Sequence, residues 1–278
     1  MTEHINTVML FKQAMRNTGI KPPDEILADG CLHRFTVYGD KPQSKNGWYV
    51  FHDGDLATGA FGCWKRQVNE AWSSEPYQSM TPEEQTAYKI KMANITRQRT
   101  ADQKRIQAEC RAWCANVWPK AQNATSDNPY LRRKGVKAYG VKVFEDTLLV
   151  PVQDLEGAIH GMQFIAPDGS KRFKTGTNKV GHFFKIGMSK ENIVIICEGY
   201  STGATIHEAT GHAVVVAFDA GNLLPVAQRI RSRFCDMKII LAADDDKDTE
   251  GNPGISKAIK AARAVGGLLV YPLFEGGS

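Results

Sequence analysis

"NIVIICEGYSTGATIHEATGHAVVVAFDAGNLLPVAQRIRSRFCDMKIILAADDDKD", residues 192–248, decides the fold. Three apolar runs rich in Val and Ile are separated by segments of helical character near 202–210 and 223–233. A fourth run, "GLLVYP", follows another such segment at 254–265. The runs are short, continuous and β-branched, the mark of strands buried on both faces. Such strands, joined through helices, form a largely parallel sheet. Residues 191–278 are therefore expected to be an α/β domain.

Two of the runs end in acid. Glu198 closes "VIIC" and Asp244 closes "IILAA", with Asp245, Asp246 and Asp248 directly after it. In open α/β sheets ligands bind outside the carboxyl ends of the strands. Clustered carboxylates repel one another, so their grouping adds no stability by itself. A solvated turn accounts for "DDDKDTEGNPG", whose composition suits a turn throughout. It does not account for Glu198, which comes from a separate run. If the two runs are neighbours in the sheet, Glu198, Asp244 and Asp246 converge. Oxygen ligands of this kind suit Mg²⁺ or Mn²⁺.

Outward from this domain the chain changes character three times. Residues 126–190 are basic and β-rich, with Asp/Glu-Gly and Asp-Gly turns between apolar runs, the pattern of a meander. Residues 81–125 are a polar helical connector: a Thr cap, Pro82 and early glutamates open it, and no further Pro occurs before Pro119. It reads as one long helix or two consecutive ones, with Trp113 and Trp118 docking its far end. Residues 1–80 form a small β-rich domain after an amphipathic N-terminal helix, and Trp48, Cys63, Trp64 and Trp72 are expected in its core. The expected whole is α+β and multidomain.

Charge and cysteines bound the function. Of 35 Lys/Arg and 30 Asp/Glu, residues 191–278 carry 8 and 11, leaving 27 and 19 to residues 1–190. A basic front on an acidic C-terminal part suits a polyanion partner and a metal site. The six cysteines lack the paired C-x₂-C spacing of a zinc ribbon, and Cys110 and Cys114 share one helix face, so no zinc is expected. His207 and His212 read as structural. No apolar run reaches 18 residues and no signal peptide opens the chain, which predicts a cytoplasmic protein without a membrane partner. A helicase motor lacks support, because no G-x-x-x-x-G-K-[ST] loop occurs.

The series "IVIICEGYSTGATIHEATG", "VVVAF" and "IILAADDDKDTEGNPGISKAIKAA" resembles the Toprim domain, the α/β unit of bacterial DnaG-type primases, topoisomerases and some nucleases. Glu198-Gly199, Asp244-Asp245-Asp246, and Gly254 followed by Ala258 carry the resemblance. "NPYLRRKGV" (128–136) resembles the Tyr-Leu-x-x-Arg-Gly segment near the start of the primase core. "LLVPVQDLEGAIHGMQFIAPDGSKRFKTG" (148–176) resembles the meander that follows it. The whole is most similar to primases of phages and plasmids. Three departures stand out. Thr202 occupies a place where DnaG-type primases usually carry Asp, "LLVYP" is followed by no acidic motif, and no zinc-binding N-terminal pattern is visible. They are consistent with a piece of a longer primase or primase–helicase, and with one metal more securely than two.

The resemblance implies a DNA primase core that makes short RNA primers on single-stranded DNA from NTPs, with Mg²⁺ or Mn²⁺. Asp244 and Asp246 would hold the metal, Glu198 would complete the site, and Asp248 would bind through water. Lys171, Arg172 and Lys174 would contact NTP or template phosphates, although a solvated hairpin end has the same composition. Arg132, Arg133 and Lys134 would clamp the template, and Lys257 would approach phosphates. Phe173 suits either a base stack or the core. A replicative helicase, or a helicase domain further along the chain, is the implied partner. Two alternatives remain open: a Toprim nuclease using the same carboxylates, and a non-catalytic module binding single-stranded nucleic acid. A topoisomerase would need room for a strand-passage gate that this length does not offer.

Overall fold

Two hydrophobic periods set up the first of the chain's two compact units, Met1–Gln98. The structure, a computed structural model, describes residues 7–40, 44–54, 56–66, 68–75, 77–188, 191–244 and 252–272. Helix α1 (Thr7–Asn17) buries Phe11 and Met15, four residues apart on one face. Strands β1 (His33–Phe35), β2 (Gly47–His52), β3 (Thr58–Cys63) and β4 (Val68–Ser73) pair antiparallel in that order. The alternation of β2 sends Tyr49 and Phe51 into a core with Phe11, Phe61, Trp72 and Cys63. Its other face carries Trp48, which pairs in register with Gly62 and stacks on Trp64 at 5.9 Å. Trp64 is 48% exposed, with the Arg34 guanidinium 4.6 Å over its ring. The expected core place thus holds for Trp72 and Cys63 and fails for Trp48, which lies on the other face, and for Trp64. Gly62 is required by the close approach of its neighbours: a Cβ there would stand 2.1 Å from Val68 O and 2.8 Å from the Trp48 indole.

The connector is one continuous helix, α2 (Pro82–Val117). Thr81 and Glu84 cap it reciprocally: the Thr81 backbone N–H donates to Glu84 Oε2 (2.7 Å), and the Glu84 N–H donates to Thr81 Oγ1 (3.3 Å). Only Cys110 and Cys114 are fully buried along it, so its polar length follows from its composition.

The second unit, Arg99–Ser278, contains two five-stranded sheets. The first is antiparallel and follows chain order: β5 (Gln122–Asn123), β6 (Lys142–Phe144), β7 (Thr147–Gln153), β8 (Ile159–Ile165), β9 (Lys171–Phe173), with the short helix α3 (Pro129–Lys134) between β5 and β6. The second comprises β10 (Phe184–Ile186), β11 (Ile193–Cys197), β12 (Ala213–Val216), β13 (Lys238–Ala242) and β14 (Leu268–Val270) in the order β10-β12-β11-β13-β14. Its strands run parallel except β10, an antiparallel edge. Helices α4 (Tyr200–Thr210), α5 (Leu223–Arg233) and α6 (Pro253–Val265) alternate with the parallel strands.

Both faces of this parallel sheet are covered, as its continuous apolar runs require. Val194, Ile196, Val215, Ile239 and Leu241 pack against α5 and α6. Ile195, Cys197, Val214 and Val216 pack against α4, α3 and the meander residues Leu148, Val150 and Ile165. Each such aliphatic side chain contributes about 1.5–3 kcal/mol by leaving water. The meander's reverse face, with Leu149 and Met162, packs on Cys110 and Cys114 of α2.

Asn222 fastens the loop before β10 to the turn after β12. Its buried amide donates to His182 O (2.9 Å) and Ala217 O (2.8 Å) and accepts from the Gly181 N–H (2.7 Å). Asn222→Ala strands three buried backbone groups, so urea unfolding should show a loss of about 2–4 kcal/mol; a change under about 0.5 kcal/mol would contradict this role. His182 stacks on His160 at 4.0 Å. Burial first, then the His160 and Arg229 charges, push its pKa down to about 4, against an opposing pull from Asp154. The unfolded chain therefore takes up the proton more readily, and stability falls as pH drops from about 6.5 toward 4. Between pH 7.5 and 5 the expected loss is about 2 kcal/mol, and it should shrink in His182→Gln. Equal pH slopes for the two proteins would rule His182 out as the cause.

Candidate active site

Strands β11 and β13 are parallel neighbours, with Ile195 opposite Ile240 and Ile196 opposite Leu241. The residues that leave their carboxyl ends therefore emerge side by side. Glu198 follows β11 directly and Asp244 follows β13 after Ala243, and both are half-buried. The Cys197 thiol, at the end of β11, is fully buried. Burial, followed by the negative charges of Asp244 and Glu198, drives its pKa far above the ordinary thiol range, with Lys171 pulling the other way. Asp246 and Asp248 lie outside the described residues. Among the described residues, no group of three or more His, Cys, Asp or Glu is arranged to hold a metal ion. Glu198 and Asp244 offer only oxygen donors, which fits a hard divalent cation; Mg²⁺ needs one or two protein carboxylates besides water and phosphate oxygens.

The turn after Glu198 is built to hold it. Gly199 caps α4 in an extended conformation, and Tyr200 plunges into the core. The Tyr200 hydroxyl accepts from the Tyr139 N–H (2.9 Å) and donates to Lys137 O (3.4 Å). One turn later Gly203 lets α4 rest on the sheet: a Cβ there would stand 2.9 Å from Val216 Cγ2 and 3.1 Å from Cys197 Sγ. A Cβ on Gly199 would stand 3.5 Å from Thr202 Oγ1 and 3.7 Å from Lys171 Nζ, which puts both side chains beside the Glu198-Gly199 backbone.

Strand β12 ends at the same edge. Phe218 there takes a left-handed φ of 74°, unusual for an aromatic residue. It meets Phe173 edge-on at 5.7 Å, so Phe173 has a protein partner. Asp219 follows, pairs with Lys179 and accepts from the Asn222 N–H. Lys257 of α6 reaches this turn, its Nζ 4.0 Å from where a Gly221 Cβ would be.

The expected basic loop divides. Lys171 and Phe173 point to the carboxylate side, whereas Arg172 lies 5.3 Å over the Phe164 ring and Lys174 lies 5.3 Å over the Trp113 ring, on the α2 side. Residues 171–174 continue a ladder on β8, and a strand turns successive side chains to opposite faces. Arg132, Arg133 and Lys134 fill the last turn of α3, which Asn128 caps by accepting from the N–H groups of Tyr130 and Leu131. Arg132 donates to Asp127 O, and Arg133 lies 5.7 Å over the Tyr130 ring, while Lys134 is exposed. His207 accepts its structural reading through a 2.6 Å bond between Nδ1 and His212 O. Tyr200, Asn222 and the Lys179–Asp219 pair were not singled out by the sequence. Only the Gly-Tyr after Glu198 hinted at them.

Residues 192–274 match the family described as "Toprim domain". The chain carries a Toprim domain. Its Glu198 and Asp244 leave two neighbouring parallel strands of that domain. Two curated proteins, both DNA primase TraC of Escherichia coli, are 34% identical to the chain over 284 and 280 residues, 96% and 95% of its length. That likeness extends well beyond the Toprim domain into both compact units. The chain spans 26% and 19% of those two relatives. Among solved structures, the DnaG primase catalytic domain bound to ssDNA is 13% identical with a TM-score of 0.42, over 64% of this chain and 74% of that one. The primase fragment of the bacteriophage T7 primase-helicase protein is 16% identical with a TM-score of 0.40, over 56% and 66%.

Gly203→Val should push α4 off the strand beneath Glu198. A loss of about 1–3 kcal/mol in denaturant unfolding is expected, against a far smaller loss for Gly211→Asn, where the glycine only ends the helix in a left-handed conformation that Asn tolerates. Equal losses would show that contact with the sheet is not what requires glycine at 203.

Proposed function

We propose that this chain is a DNA primase core that synthesises short RNA primers on single-stranded DNA by metal-dependent nucleotidyl transfer from NTPs. The observation that carries this reading is the likeness to DNA primases across both units, centred on a Toprim domain in which Glu198 and Asp244 follow neighbouring parallel strands. In this reading residues 191–278 are the Toprim domain, 126–190 the basic subdomain against it, 81–125 the connector and 1–80 an accessory β-rich domain.

Nucleotidyl transfer requires in-line placement of a primer 3′-hydroxyl and an NTP α-phosphate, with little covalent participation by protein. Mg²⁺ or Mn²⁺ bound by Asp244 and Asp246, with Glu198 and a water-mediated Asp248, would neutralise charge on the reacting oxygens. Glu198 would complete the site as a ligand or as the acceptor of the attacking hydroxyl's proton. Lys171 brings an ammonium to the Glu198-Gly199 backbone, suited to an NTP phosphate, and Lys257 brings a second to the β12 turn. Tyr200 and Gly203 hold the strand end still, which limits reorganisation during the reaction. Arg132, Arg133 and Lys134 supply positive charge for the template, so binding should weaken with salt. A replicative helicase, separate or joined further along the chain, is the proposed partner.

The test is primer synthesis with single-stranded DNA, labelled NTPs and Mg²⁺ or Mn²⁺. Wild type should yield metal-dependent oligonucleotides. Asp244→Ala and Glu198→Ala should each lower the yield at least about 100-fold, or about 2.7 kcal/mol of barrier. Lys171→Ala should lower it by about 10-fold or more. DNA cleavage without synthesis would replace the reading with a nuclease, and DNA binding without either would replace it with a binding module.

A further inference from the structure

A second site lies on the far face of the meander. A cavity of about 370 Å³ opens there, lined by Trp113 and Val117 of α2 and by Phe144, Leu149, Phe164 and Arg172 of the sheet. This volume falls in the range of small-ligand pockets, about 300–1,000 Å³. Phe144 is 62% exposed although it is a large aromatic on a well-formed strand. It ends β6, and Glu145 turns the chain back with a left-handed φ of 52°. Three cations lie over aromatic rings on this face, and Arg172 among them lines the cavity. Arg172 lies over Phe164, Lys174 lies over Trp113, and Lys142 lies 5.0 Å over Trp118 while donating to Trp118 O.

Alternating rings and cations are the chemistry of single-stranded nucleic acid: bases stack on π-faces while the phosphates run past positive charge. A free nucleoside triphosphate fits less well. Its four negative charges need donors that converge, whereas these cations are spread over β6 and the β9 end. The neighbouring helix end is the carboxyl end of α2, which repels concentrated negative charge. Glu145 also lines the cavity. A strand carrying one phosphate per base avoids both penalties.

We propose that this cavity takes a base of single-stranded DNA, stacked on Phe144 and walled by Trp113 and Phe164, with Arg172, Lys174 and Lys142 along the strand's phosphates. The site is separate from the carboxylate edge, because β9 turns Lys171 and Phe173 toward that edge and Arg172 toward this cavity. The proposal shares with the primase reading only the identity of the bound polymer and needs none of its chemistry.

The test uses the full chain and a fluorescent 20-nucleotide single strand, with affinity read by anisotropy and contact read by photocross-linking of 4-thiothymidine and peptide mapping. Phe144→Ala should weaken binding roughly 5- to 100-fold, the loss of one base–aromatic stack, while its thermal melt stays that of wild type. Arg172→Ala should weaken it and flatten its salt dependence. Cross-links should map to the 113–117 and 144–147 peptides. Unchanged affinity in Phe144→Ala, cross-links confined to other peptides, displacement from these peptides by ATP, or no strand binding by wild type would each overturn the proposal. Failure of the primase reading is a separate result: no metal-dependent oligonucleotides from wild type, whatever the strand affinity.

Discussion

The parallel pairing of β11 with β13 is the constraint on which the rest depends. Its register places Ile196 beside Leu241, which sets Glu198 level with Ala243, so Glu198 and Asp244 leave neighbouring strands within one residue of the same level. Two carboxylates on adjacent strand ends repel one another. The fold offsets that repulsion with apolar packing on both faces of the sheet rather than with local attraction. Val194, Ile196, Ile239 and Leu241 bury against α5 and α6, and Ile195 and Cys197 bury toward α4 and the meander. A rigid sheet can hold two carboxylates in proximity where a loop would let them separate. The buried Cys197 thiol is pushed above the ordinary thiol range by burial first and then by the negative charges of both acids.

The meander uses the same economy of placement in another way. A three-residue strand at its edge serves both faces, because successive side chains alternate. Lys171 and Phe173 go to the Toprim side, where Phe173 packs on Phe218 and Lys171 reaches the Gly199 backbone. Arg172 and Lys174 go to the α2 side and settle over aromatic rings. Asn222 and Tyr200 then pin neighbouring segments to the Toprim sheet through side chain–backbone bonds in the core. These bonds are few, buried and specific, so they fix geometry more than they add net stability.

Much of this architecture was legible in the chain. Continuous Val/Ile runs marked β11, β12 and β13, and Asp-Gly and Glu-Gly turns marked the hairpins of the meander. A Thr cap, Pro82 and early glutamates marked the start of α2. Acids at two run ends marked the edge at which Glu198 and Asp244 emerge. What stayed hidden depends on contacts remote in sequence. Tyr200 binds the backbone 61 residues away at Tyr139, and Asn222 binds it 41 away at Gly181. No local period encodes such a bond. The split of Lys171 from Arg172 needed the strand's exact extent, and the exposure of Trp64 needed the register of Trp48 with Gly62. Composition reads "basic loop" and "aromatic core" in both places, and only pairing decides.

The central claim is that Glu198 and Asp244 form one divalent-cation site because two strands are neighbours. The most direct measurement is Mn²⁺ binding followed by electron paramagnetic resonance, for wild type, Glu198→Ala and Asp244→Ala, with circular dichroism to verify the fold. The account predicts a Mn²⁺ site in wild type that weakens at least about tenfold, or about 1.4 kcal/mol, in each variant, with both variants folded. Wild-type Mn²⁺ affinity in both variants, or in either one, would contradict it.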